Sequence, residues 1–175
     1  QKYSITVDPS QTRGVVATDN SQCSEIGHEV LLRGGNAVDA AVASALCLGV
    51  VSPASSGIGG GCFILIHVNS TQEDVFIDAR ELAPSGSNAT MFAEEPMRAQ
   101  DGALAVAVPG ELKGLYYAWQ HYGSHRLSWS DLVSPAASLA EQWSVSVELA
   151  ALLRNSDVKA RLTSGKYPEL QALYT

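Results

Sequence analysis

Charge is scarce in this sequence and its balance is acidic: Asp, Glu, Lys and Arg make up 17% of the residues and the net charge is −7. The attraction to phosphate that carries most nucleic-acid binding is therefore missing, and no nucleic-acid partner is expected. Long apolar runs are lacking too. The most apolar stretch, Ala37–Val51, is interrupted by Asp39 and falls short of the roughly 20 residues that cross a bilayer. No basic and then apolar leader follows Gln1, so a signal peptide or membrane anchor is expected upstream of this stretch. Cysteine is limited to Cys23, Cys47 and Cys62, without the short paired spacings of a zinc site. They are left as a disulfide, free thiols or small buried hydrophobes, with three pairings open.

Several familiar site motifs are absent as well. Gly57-Ile-Gly-Gly-Gly61 lacks the last glycine of a dinucleotide-binding loop and leads into a strand, so no helix dipole meets a phosphate there. Ser164-Gly-Lys-Tyr167 lacks the upstream glycine and the hydroxyl residue of a P-loop. His28-Glu29 begins a zinc-protease motif, but Leu32 stands where the second His belongs. His121 and His125 are separated by Gly123 at a helix end, which does not suit zinc geometry. No Gly-x-Ser-x-Gly elbow anchors a serine nucleophile. Neither a metal nor a cofactor is expected.

What is present is a chain of 175 residues, 46% hydrophobic, long enough to bury one sizeable core as a single domain or a large piece of one. A short strand is expected over 15–18, then a helix over 21–33 stopped by Gly34-Gly35. Asn36 as N-cap and Asp39 at N3 start a buried, alanine-rich helix over 37–50. Cys23 and Cys47 fall on these successive helices, near enough to bridge, and are the preferred pair. A Ser/Gly-rich loop, 52–61, enters a strand over Cys62–Val68; a second strand over 75–80 returns and is stopped by Pro84, making a β-hairpin. A further strand is expected over 103–108. Leu112, Leu115, Tyr116 and Trp119 then share one helical face, read as core, over 111–122. Residues 130–143 and 146–162 read as helical, with Pro135 at a break or first-turn position. Asn69-Ser-Thr71 and Asn88-Ala-Thr90 match the N-glycosylation acceptor pattern; Asn69 falls at the expected hairpin tip, which favours the secretory pathway.

Asp78-Ala-Arg-Glu81 closes the second strand. There Arg80 can offer its planar fork to a carboxylate in two parallel hydrogen bonds. Asp78 lies on the same strand face and could hold the guanidinium while Arg80 reaches for a ligand. Alternatively Arg80 simply pairs with Asp78 or another acid, and structural ion pairs are the commoner case.

Cys23-Ser-Glu-Ile-Gly27, Gly34-Gly-Asn-Ala-Val-Asp-Ala-Ala-Val42, Ser56-Gly-Ile-Gly-Gly-Gly61, Asp78-Ala-Arg-Glu-Leu-Ala-Pro84 and Val108-Pro-Gly-Glu111 stand in the order they take in γ-glutamyltransferases, and the chain resembles that family from about Gly14 to Leu162. The resemblance implies an α/β fold, part of a four-layer αββα sandwich of the N-terminal-nucleophile hydrolase type. Residues 1–175 would be the N-terminal portion of the large subunit, a single incomplete domain. It further implies a precursor that cuts itself into large and small subunits, and transfer of the γ-glutamyl group of glutathione or another γ-glutamyl donor, through a threonine, to water or to acceptor amino acids or peptides.

The arginine matching Arg80 binds the donor's α-carboxylate in that family, which reverses the weight of the two readings above. Animal-type relatives carry cysteines matching Cys23 and Cys47 as a disulfide, bear N-glycans and face outward from a membrane anchor; Cys62 has no such partner. The expected location is extracellular or at the cell surface. The nucleophilic threonine and oxyanion-hole glycines belong to the small subunit, so no catalytic residue is expected in this chain. Leu82 stands where relatives often carry another apolar residue such as Val or Met, a mild departure. Two other readings stand beside this one: a truncated or inactive non-catalytic relative, and a related acylase.

Overall fold

The computed structural model describes residues 14–175. Its first helix, α1 (Ser21–Leu32), starts where Asn20 Oδ1 accepts the Gln22 N–H at 2.9 Å. Residues 15–18 form no strand: Thr18 instead folds onto α1, its N–H donating to Ser24 Oγ at 3.0 Å. A strand needs a ladder partner, and none of the described residues supplies one here. Gly34, at φ +91°, reverses the chain in the left-handed region that glycine enters without cost.

Helix α2 (Ala37–Val51) then opens with a full capping box between Asn36 and Asp39. Asp39 is fully buried, and its Oδ2 also accepts the Ser124 N–H at 3.0 Å. Asn36 Nδ2 donates to the Tyr122 carbonyl at 2.7 Å, so one cap ties two distant helix ends together. Around α2 the core gathers Val30, Val42, Leu46, Leu115, Leu132 and Ala136. The small Ala40 and Ala43 let neighbours approach closely, and Cys23 and Cys47 are joined as a disulfide between α1 and α2.

Strands β1 (Cys62–Val68) and β2 (Glu73–Ala79) pair antiparallel, from Cys62 opposite Ala79 to Val68 opposite Glu73. The ladder therefore reaches two residues nearer the tip than the expected start at 75. Ile64 and Ile66 face the helices, while Phe63, Leu65 and Phe76 lie on the exposed face, with the Phe63 and Phe76 rings stacked at 5.5 Å. The strand expected over 103–108 is not formed. A 3₁₀ turn occupies Ala103–Ala105, and only a single bridge, Leu82 to Val108, joins this segment to the sheet side. Pro84 and Pro109 bracket that bridge and carry no N–H to extend it.

Helix α3 (Glu111–Tyr122) turns only part of the expected face inward: Leu115 lies in the core and Trp119 packs against it. Gly114, Leu115 and Ala118 are buried, whereas Leu112 and Tyr116 are each more than 40% exposed. Small side chains let α3 lie close to the hairpin. The large aromatics gather at the rim instead, where Tyr116, Trp119 and Trp129 pack with centroids 5.1 to 5.6 Å apart. Helix α4 (Trp129–Glu141) runs continuously through Pro135, which is neither a break nor a first-turn residue. Asn155 divides the remaining helical stretch into α5 (Val147–Arg154) and α6 (Ser156–Leu162) by capping the second, and α7 (Pro168–Tyr174) follows. Among the described residues no helix is long and apolar enough to cross a membrane.

Candidate functional site

Arg80 is the residue immediately after β2, and its backbone is held by close approaches that only glycine permits. A Cβ on Gly61 would sit 2.6 Å from the Ala79 carbonyl oxygen and 2.8 Å from Arg80 Cα. One on Gly110 would collide with the Ala79 and Arg80 carbonyls, and one on Gly114 with Ala79 Cβ. Three glycines from two segments thus cradle the end of β2. Gly61→Ala is expected to lower stability by about 1–3 kcal/mol through overpacking, read as a lower urea midpoint at unchanged m-value.

The guanidinium itself is half exposed. Its Nε lies 3.2 Å from Glu81 Oε2, out of line for a hydrogen bond, so the contact is one of charge. Its carbon stands 5.8 Å from the Phe63 ring centroid, a cation–π distance. Asp78 supports Arg80 in another way than expected: Asp78 Oδ1 accepts the Arg80 backbone N–H at 3.0 Å, while Glu81 meets the guanidinium. The two-residue offset lets a strand-end Asp fold back on its own backbone, which is nearer than the neighbouring side chain. Among the described residues neither terminal nitrogen of Arg80 has a hydrogen-bond partner, so the fork is open to a ligand.

Arg80 and Glu81 border a cleft of about 420 Å³ walled by Ser55, Ser56, Gly60 and Glu111. Glu111 is only 5% exposed; burial pushes its carboxyl above the usual range, the Gly57 N–H bond acts against that, and negative Glu81 adds to it. The Cys62 thiol is pushed up by burial, then by Glu111 and Glu81, and so keeps its proton. Two roomier clefts, about 600 and 540 Å³, border α2 and are lined mainly by apolar groups. Size alone would choose them; the open cationic fork makes the Arg80 cleft the better candidate. Asn69 is exposed at the hairpin tip, and Asn88 is exposed in a loop where its Oδ1 accepts from the Thr90 N–H and Oγ1 at 3.1 Å each.

Sequence reasoning did not single out Glu81 or Glu111. Each lies inside a segment quoted above, and a signal existed for the second: Glu111 opens a helix directly after Pro-Gly, where an acid faces the helix dipole.

Residues 23–175 match the family model for γ-glutamyltranspeptidase. The chain belongs to the γ-glutamyltranspeptidase family. It is 54% identical over 129 residues to glutathione hydrolase 2 of Arabidopsis thaliana, covering 74% of this chain and 22% of that protein. It is 50% identical over 131 residues to glutathione hydrolase proenzyme 2 of Schizosaccharomyces pombe, covering 74% of this chain and 21% of that one. The crystal structure of Helicobacter pylori γ-glutamyltranspeptidase superposes with a TM-score of 0.81 at 37% identity, over 91% of this chain and 45% of the other. The chain thus spans about a fifth of the length of these curated relatives. Its mixed α/β architecture is part of the N-terminal-nucleophile hydrolase sandwich of these transpeptidases.

Proposed function

We propose that this chain is the N-terminal portion of the large subunit of a γ-glutamyltransferase. The whole protein would hydrolyse glutathione and other γ-glutamyl compounds and transfer their γ-glutamyl group to amino acids or peptides. The observation that carries this reading is the open guanidinium of Arg80, presented on a glycine-cradled strand end in a chain of this family. A free amino-acid carboxylate is the group a planar two-pronged donor takes best, and glutathione carries one on its γ-glutamyl end. Arg80 holds and orients the donor. The attacking threonine and the donors facing the developing oxyanion are supplied by a small subunit cut from the same precursor, as nucleophilic acyl transfer requires. The word proenzyme in the fission-yeast relative's name accords with such processing.

The reading is tested on the full-length protein from its native source, by intact mass under denaturing conditions and N-terminal sequencing of every chain. Two chains are expected, the second beginning with threonine, together with release of glutamate from glutathione. A single uncut chain that releases none would contradict it.

The protein faces the extracellular side, secreted or anchored by a segment upstream. The disulfide and the exposed sequons support this, since oxidised cysteines and N-glycans belong to the secretory pathway. Asn69 and Asn88 are expected to carry glycans. Peptide mapping after enzymatic N-glycan removal should find aspartate at both positions, and unmodified asparagine at both would exclude it.

A further inference from the structure

Two phenylalanines of the hairpin point away from the core. Side chains alternate along each strand, so Phe63, Phe76 and Asp78 share the face turned from the helices, while Ile64 packs towards α3 on the other. Phe63 and Phe76 are 61% and 62% exposed, and their rings stack diagonally across the two strands at 5.5 Å, with planes 28° apart. Arg80 continues the series 76, 78, 80 just past the end of β2, and its guanidinium carbon comes over the Phe63 ring at 5.8 Å. The ring thus lies beneath the guanidinium, Glu81 Oε2 stands beside Nε, and the terminal nitrogens are left at the open end.

An arginine carries its fork on a long, flexible stem, and a fork that wanders must be ordered when a ligand arrives. The negative face of an aromatic ring attracts a cation and takes a flat guanidinium by stacking, whereas an aliphatic side chain of similar bulk offers contact area alone. We propose that Phe63 is a positioning residue for the donor: backed by Phe76, its ring holds the Arg80 guanidinium with the terminal nitrogens turned out towards the donor's α-carboxylate. The inference rests on the donor-binding reading of Arg80. Phe63 acts through the arginine and takes no part in bond making. Holding the fork ready strengthens donor binding without touching the chemical step, so its loss shows in KM and not in kcat.

The test uses the full-length protein with steady-state kinetics on glutathione for Phe63→Leu, Phe63→Tyr, Arg80→Ala and the Phe63→Leu/Arg80→Ala double variant. Phe63→Leu keeps the apolar bulk and loses the ring face; it should raise donor KM about fivefold with kcat changed by less than about twofold. Phe63→Tyr, which keeps the face, should recover most of that loss. In the Arg80→Ala background, Phe63→Leu should add little, because both act on one contact. If the leucine variant fails to accumulate, a ring-fluorinated phenylalanine at position 63 replaces it: its volume is almost unchanged, but fluorine drains the negative face, and the same KM rise is expected. A wild-type KM in the leucine or fluorinated protein, a tyrosine variant as impaired as leucine, or multiplying effects in the double variant would overturn the inference. A normal KM in Arg80→Ala would instead remove the donor-binding reading itself, so the two failures are separable.

Discussion

Replacing Arg80 with alanine in the full-length protein should raise the KM for glutathione about a hundredfold while leaving kcat much less affected. Two charge-assisted hydrogen bonds to a carboxylate are lost together, and a net loss of about 3 kcal/mol corresponds to that factor. The folded state should lose less than binding does: the guanidinium is half exposed, although the buried Glu81 Oε2 loses its charge partner. A thermal midpoint only slightly lowered beside a steep KM rise separates binding from stability. Lysine should restore only a small part, since a point charge cannot reproduce the planar fork or its stacking over Phe63. A donor KM within twofold of wild type in Arg80→Ala would end the assignment.

The second large effect is on stability. Replacing Cys23 and Cys47 together with alanine should cost about 3 kcal/mol, because the bond removes the freedom of a loop spanning 24 residues from the unfolded chain. Both cysteines are fully buried between α1 and α2, next to Val51, so nothing compensates by repacking outward. The loss should appear as a lower denaturant midpoint. Peptides containing Cys23 and Cys47 should stay linked in a non-reduced digest, while Cys62 is alkylated only after denaturation, its thiol being half-buried and protonated. Equal stability of the alanine pair and the parent would show that the link does not constrain this part of the chain.

The parts legible in the sequence are those governed by neighbours along it. Asn36 and Asp39 sit three apart and announce the start of α2, and the capping box is there. The two β-rich runs around Asn69 announce a hairpin, and the register bears it out apart from two extra residues at the tip. Errors arose where distant contacts decide. Residues 103–108 have the apolar character of a strand, but the ladder they would need is limited by Pro84 and Pro109 to one bridge. On α3 the apolar spacing pointed to Leu112, Leu115, Tyr116 and Trp119, and Leu115 and Trp119 do pack inward, but the close approach to the hairpin is at Gly114, which no hydrophobicity pattern marks. The site follows the same division. Arg80 stood out as a strand-end cation, but its charge partner Glu81 and the buried Glu111 depend on the loop 52–61 folding over α3 through glycine backbone contacts.

The most direct measurement compares two donors on the full-length protein, a γ-glutamyl amide with a free α-carboxylate and the same compound with that carboxylate converted to an amide, each with wild-type protein and with Arg80→Ala. The wild type should prefer the free carboxylate about a hundredfold in kcat/KM, and the alanine variant should have lost nearly all of that preference. An equal preference in both proteins, or no γ-glutamyl release from either donor by the wild type, would contradict the assignment of Arg80 as the donor's anchor in a γ-glutamyltransferase.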